Sequence, residues 1–162
     1  MRCIYFSTAM RRPLICIAVL IAGGLPAAAS GSLDCEIKDK SVQLTLHSGI
    51  TRGMGGPFFG FKAELKTSLP NVPTDLKAME FDAEHLAQRW LNEREAKLVI
   101  YREHQGDAPH GSVEITIETK RVSRNDEGRY AGTYVLQIDA TPADGKDQKP
   151  ITARGRISCS AE

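Results

Sequence analysis

A glycine-rich segment that contains one arginine is the part of this sequence best suited to bind another molecule. Five of the twelve residues from Gly49 to Gly60 are glycine. Glycine allows the backbone to approach a ligand closely, because it adopts conformations that a side chain forbids. Arg52 can donate paired hydrogen bonds to an anion, and Met54 and Phe58 offer apolar contact. These three are the candidate binding residues; the alternative is that the segment is simply a long connection between strands.

The other reactive side chains lack the spacing that catalysis or metal binding requires. The histidines show none of the usual metal-ligand spacings; they are His47, His85, His104 and His110. Ser48 directly follows His47, and neighbours on a strand point to opposite faces, so the two cannot act as nucleophile and base. A Gly-x-Ser-x-Gly motif and cofactor fingerprints are absent. We therefore expect no catalytic site, no metal and no cofactor. Two carboxylates on opposite walls of a cleft would instead indicate a small hydrolase.

The first 29 residues have the three parts of a secretory signal peptide. Arg11 and Arg12 supply the positive end, and an apolar run from Leu14 to Leu25 follows. Three alanines at 27–29 suit signal peptidase, which predicts cleavage before Ser30. The run is too short and too interrupted by glycine and proline for a membrane span. We expect one exported domain, 30–162, in the periplasm or secreted, with Met10 as an alternative start.

Two cysteines remain after residue 29, namely Cys35 near the start of the exported domain and Cys159 near its end. An oxidising compartment favours a disulfide between them. Such a bond requires their Cα atoms to lie within about 7 Å. The sequence therefore predicts that the first and last strands are neighbours, with a structural disulfide joining the two ends.

The charge of the exported domain argues against nucleic-acid binding. Residues 30–162 contain 18 Lys and Arg against 20 Asp and Glu, because three arginines and no acids lie in the first 29 residues. A domain that binds nucleic acid or an anionic membrane surface is normally basic. We expect neither activity, and no membrane span after cleavage.

Alternation of apolar and polar residues predicts strands along most of the domain. The clearest inward rows begin at Val113, Tyr130 and Ile151, and further rows contain Val42 and Phe59. Polar turns with glycine or proline separate the rows, which is typical of an antiparallel meander. We expect a mainly β protein, a single barrel or sandwich of about seven or eight strands. A barrel would remove exposed strand edges.

One segment, near residues 83–92, fits two structures. Its apolar residues recur at the spacing of a helix face, with Asp82 as a possible cap; they are Ala83, Leu86, Ala87, Trp90 and Leu91. The same segment, from Phe81 to Trp90, can instead be a strand that forms a hairpin with 97–104. We expect Trp90, the single tryptophan, to lie in or beside the core.

These observations favour a non-catalytic binding or accessory protein of the bacterial cell envelope. An exported, rigid, disulfide-joined β domain without catalytic residues is suited to bind a protein partner or small ligand through loops at one barrel end. The alternatives are a small periplasmic hydrolase or isomerase with a polar cavity, and a carrier with an empty apolar interior.

Overall fold

The structure, a computed structural model, describes residues 30–51, 58–104, 111–125, 128–141 and 149–162. Nine strands make up 73% of these residues: β1 (Ser30–Lys38), β2 (Val42–Thr51), β3 (Phe58–Thr67), β4 (Ala78–Phe81), β5 (Leu86–Leu91), β6 (Glu95–Glu103), β7 (Gly111–Arg121), β8 (Arg129–Ala140) and β9 (Ile151–Ala161). Two short 3-10 helices, Thr74–Leu76 and Ala83–His85, flank β4. The described residues contain no helix that is both long enough and apolar enough to cross a membrane.

All nine strands form one antiparallel sheet in the order β4-β3-β2-β1-β9-β8-β7-β6-β5. The first and last strands, β1 and β9, lie side by side, and Cys35 is directly opposite Cys159 in their pairing. A disulfide joins these two residues, as the sequence predicts. The sheet curls into a nearly closed barrel, so the barrel alternative is confirmed over the sandwich.

The barrel is not closed between β4 and β5. Strand β4 pairs with β3, β5 pairs with β6, and β4 and β5 do not pair with each other. Every strand pair in the sheet is antiparallel, so β4 and β5 must run in the same direction. They are therefore two halves of one interrupted strand. We call the line between them, from Ala78 to Leu91, the seam. The expected eight-stranded meander is therefore present, with one strand broken in two.

The helical interpretation of residues 83–92 is wrong, and the strand interpretation is confirmed for 86–91. Asp82 does cap a helical turn, since its carboxylate accepts a hydrogen bond from the Glu84 amide at 3.0 Å. The turn extends only from Ala83 to His85. A ten-residue helix is marginal alone, whereas a strand here pairs with β6 and satisfies its backbone hydrogen-bonding groups. Asn92 then accepts hydrogen bonds from the amides of the following turn and reverses the chain.

Apolar side chains fill the interior of the barrel. The rows predicted in β7 and β8 point inward, and Val113, Ile115, Ile117, Leu136 and Ile138 are completely buried. Their burial against one another supplies most of the stability, since apolar burial is the main favourable contribution to folding.

Two tyrosines of β8 span the length of this interior. The Tyr130 hydroxyl donates to the carbonyl of Asn92 at 3.0 Å, and the Tyr134 hydroxyl donates to Asp39 at 2.6 Å. These hydrogen bonds lie towards opposite ends of the barrel, because Asn92 follows β5 whereas Asp39 follows β1. Each ring packs inside while its polar group is satisfied at an end.

Candidate functional site

The three candidate binding residues do not share one environment in the structure. Arg52 and Met54 lie outside the described residues. Phe58 begins β3 and is only 9% exposed, so its ring belongs to the core. Phe59, which the sequence pattern placed in an inward row, is instead 51% exposed. The expected orientations of these two phenylalanines are wrong.

A β-bulge reverses the faces of the sheet to which the Phe58 and Phe59 side chains point. His47 pairs with Lys62 and Gly49 pairs with Phe59, so one residue of β2 faces two residues of β3. Gly60, one of these two, has a φ of 60°, the left-handed conformation that such bulges favour. The extra residue changes which positions face inward. Phe58 therefore points to the core and Phe59 outward.

The polar groups inside the barrel are few, and the described ones are satisfied by the backbone. Thr119 donates to the carbonyl of Ala96 at 2.8 Å. The Ser48 hydroxyl lies 3.1 Å and 3.2 Å from the carbonyl oxygens of Gly49 and Phe59. Among the described residues, every buried side-chain nitrogen or oxygen atom has a hydrogen-bond partner. These hydroxyls therefore serve the sheet, and their geometry supplies no activated nucleophile.

The described histidines each lie against one carboxylate: His47 with Asp34 (2.7 Å), His85 with Asp82 (2.7 Å) and His104 with Asp75 (2.9 Å). Burial acts to raise the pKa of Asp34, but hydrogen bonds from His47 and Ser32 and the His47 charge outweigh it, so this pKa is lowered. Ser32 donates to Asp34 and not to the histidine, which is not the order of a catalytic triad. The described residues contain no group of three metal ligands.

Four basic side chains gather at one end of the barrel and form the strongest candidate surface. Arg94 lies in the turn between β5 and β6, Lys120 and Arg121 end β7, and Arg124 follows. These residues line one open groove with Glu93, Val122 and Ser123. We call Arg94, Lys120, Arg121 and Arg124 the basic rim.

The basic rim carries an excess of positive charge: its four cations face Glu93 in the groove and Glu95, which lies opposite Lys120 in the pairing. Its one lining carboxylate is Glu93, and the described ion pairs involve none of the four basic residues. Arg121 is held in place by its guanidinium, which donates to the Arg124 carbonyl at 3.1 Å. A positive surface on a domain with more acidic than basic residues suits an anionic partner. The sequence did not predict the basic rim, because Arg94 joins Lys120, Arg121 and Arg124 only through the pairing of β6 with β7.

The seam is the second unusual surface. Trp90, expected in or beside the core, is 57% exposed. It projects outward from β5, because it lies opposite Lys97, which is also on the outer face of the sheet. The described exposed aromatic residues are Phe59, Trp90 and Tyr101. All three lie on strands that border the seam.

Comparisons with known proteins give no relative from which a function can be inferred. No family model, curated protein or solved structure matches this chain.

Proposed function

We propose that this protein is a non-catalytic binding protein of the bacterial cell envelope, exported to the periplasm, whose basic rim binds an acidic surface of another envelope protein. The observation that carries the proposal is the basic rim itself, four cations without described ionic partners at one end of a rigid barrel. Proteins often place binding residues on turns that a rigid scaffold holds. The filled interior favours a partner at the rim over a ligand inside the barrel.

The glycine-rich segment belongs to the same proposal. Thr51 and Phe58, the described residues on either side of it, lie at the rim end of their strands, because β2 ends and β3 begins there. Arg52 would add another cation to the rim, and Met54 an apolar contact. Phe58 acts indirectly, by anchoring the start of β3 in the core.

The proposal is tested by removing charge at the rim. The disulfide-bonded domain 30–162 serves as bait for envelope extract, beside a variant with Arg94→Ala, Lys120→Ala and Arg124→Ala. Arg121 is retained because it supports the turn. A matched control removes three exposed lysines from elsewhere: Lys66→Ala, Lys77→Ala and Lys149→Ala.

We expect the wild type and the control to capture a protein that the rim variant loses. That protein, once purified, should bind directly, and more weakly as salt increases, since exposed charges are screened. Equal capture by the rim variant would remove the rim from the proposal. Absence of any partner would count against a binding protein and favour a small-molecule ligand.

Export is tested separately with the full chain in a Gram-negative host. We expect a periplasmic product whose mass corresponds to a chain beginning at Ser30. A version lacking residues 1–29 should remain in the cytoplasm with Cys35 and Cys159 reduced. An uncleaved product, or equal distribution of both versions, would contradict the proposed location.

A further inference from the structure

The seam contains two strand edges that have no strand partner in the described chain. The edge of β5 that faces away from β6 is one, because β5 is the last strand of the sheet. The other is the adjacent edge of residues 58–62 in β3, since β4 pairs with β3 only from Ala63 to Lys66. We call the space between these two edges the slot.

The slot is wider than the spacing of paired strands. With at most isolated exceptions, Cα atoms of β3 and β5 lie more than 8 Å apart, whereas paired strands are about 4.8 Å apart. The 3-10 helix Ala83–His85 lies near both β3 and β6 and limits the slot at its inner end. Beyond that helix, Arg102 of β6 donates to the carbonyl of Glu80 at 2.6 Å and bridges the other half of the seam.

The core is least well covered along this line. The most exposed of the buried hydrophobic side chains are Phe58 at 9%, Met79 at 8% and Leu86 at 7%. These residues lie on β3, β4 and β5, the strands at the seam. Phe59 and Trp90 stand outside the two edges of the slot. An open strand edge flanked by exposed aromatic rings is typical of a site that binds an extended peptide.

The charges beside the slot select the kind of peptide. The two strand edges, residues 58–62 and Leu86–Leu91, contain Lys62 and Arg89 and no carboxylate. The exposed carboxylates Asp82 and Glu84 lie at the helical turn at the inner end of the slot, so the positive charge is confined to the edges themselves. Arg89 is opposite Leu98 in the pairing, so it occupies a position on the inner face, yet it is exposed. It makes no ion pair within the described residues. The basic rim continues the positive surface past the end of β5.

We propose that the slot binds an extended acidic peptide, which adds as a strand to the free edge of β5. Its backbone pairs with β5, and its apolar side chains contact Trp90 and Phe59 on the outer face. Its carboxylates lie on the opposite face and meet Arg89. The positive charge of Lys62, which is on the outer face, adds to the attraction without a direct contact. This inference deepens the proposed function and rests on it, because it gives the acidic partner a defined mode of binding. Unpaired edges normally risk aggregation, and occupation by a partner strand satisfies them.

Trp90 provides a direct readout, because it is the only tryptophan of the chain. The probe is a synthetic peptide about eight residues long, the length of a typical strand, with alternating glutamate and valine. A second peptide has lysine for glutamate, and a third is the acidic peptide with methylated backbone nitrogens. We expect only the first to shift Trp90 emission to the blue and to protect amides of 58–62 and 86–91 from hydrogen exchange.

A charge-reversal variant with Lys62→Glu and Arg89→Glu keeps Trp90 and tests the selection of acidic peptides. It should bind the acidic peptide about tenfold more weakly and prefer the lysine peptide. The matched control, Lys66→Glu with Arg156→Glu, should bind like the wild type. Unchanged melting temperatures establish that both variants fold.

Four outcomes would overturn the inference. Trp90 emission that no acidic peptide changes would exclude the site, and equal binding of the methylated peptide would exclude strand addition. Concentration-dependent dimers that bury Trp90 without peptide would instead assign the slot to a second copy. If the envelope partner is lost by the rim variant but retained by the slot variant, the slot fails while the proposed function stands.

Discussion

The barrel is held together at two places, between β1 and β9 and at the seam between β4 and β5, and the two differ in the interactions that form them. Between β1 and β9 the strands pair, a disulfide joins Cys35 to Cys159, and the amide of Glu162 continues the ladder by donating to Ser32. At the seam β4 and β5 run in the same direction and never become partners. One side is closed by covalent and backbone bonds, and the other by a single helical turn and the side chain of Arg102.

This difference indicates which region contributes to the free energy of unfolding and which region is available to bind a partner. The closed side joins the first described strand, β1, to the last, β9, and buries residues between them, so changes there should act on folding. The seam exposes strand edges and aromatic rings, so changes there should act on recognition with little effect on folding. Each prediction below tests that division, in order of decreasing effect on stability.

The largest loss should follow removal of the disulfide by Cys35→Ala with Cys159→Ala. Constraint of the 125-residue loop that the bond closes contributes about 4 kcal/mol to the free energy of unfolding. Chemical denaturation of the oxidised wild type and the double variant measures the difference. Equal midpoints would show that strand pairing alone closes this side.

Two glycine-to-alanine substitutions, one in β8 and one at the seam, should lower the free energy of unfolding by smaller and unequal amounts. A Cβ at Gly132 of β8 would lie 2.0 Å from the carbonyl oxygen of Glu118, so the backbone must move. Gly132→Ala should therefore lower the free energy of unfolding by about 3 kcal/mol. Gly60→Ala at the seam meets open space and has only its positive φ to accommodate, at about 1 kcal/mol. Similar losses in denaturation would remove the distinction.

Tyr134→Phe should lower the free energy of unfolding by about 1 kcal/mol, because the hydrogen bond to Asp39 is lost. Burial, with the hydrogen bond and charge of Asp39, raises the pKa of Tyr134 above its usual value of 10.0. The folded state therefore holds this proton more tightly than the unfolded state, so the stabilisation is complete below pH 10 and is lost as pH rises further.

Denaturation between pH 8 and 11.5 checks the sign of this effect. The wild type should lose stability above pH 10 more steeply than Tyr134→Phe, which lacks the titrating group. Parallel curves for the two proteins would show that Tyr134 does not couple folding to pH.

The smallest effect on stability is expected for Trp90→Ala at the seam. An exposed side chain contributes little to folding, so the free energy of unfolding should change by no more than about 0.5 kcal/mol. Binding of the acidic peptide, followed by hydrogen exchange of the β5 amides, should weaken markedly. A large loss of stability would place Trp90 with the core and contradict the division between the two sides.

Local patterns in the sequence determined most of the sheet. Alternation along β7, β8 and β9 identifies their inward residues, because a strand repeats every two residues wherever it lies. The disulfide is predicted from two cysteines and the expected oxidising compartment. Since Cys35 and Cys159 lie near the two ends of the predicted domain, the pairing of the first and last strands is predicted as well. The positions of the Tyr130 and Tyr134 rings also follow from their inward row.

Tertiary structure decided the features on which function depends. The bulge at Gly60 reverses Phe58 and Phe59 because it depends on the register between β2 and β3, which no local pattern reports. The break after Phe81 has a similar origin. Residues 83–91 fit a helix face locally, yet only Ala83–His85 form a helical turn, and pairing with the open edge of β6 makes Leu86–Leu91 a strand. Trp90 is exposed because a register shift between Leu86 and Gln88 in the pairing with β6 turns it to the outer face, opposite Lys97, and no local pattern reports that shift.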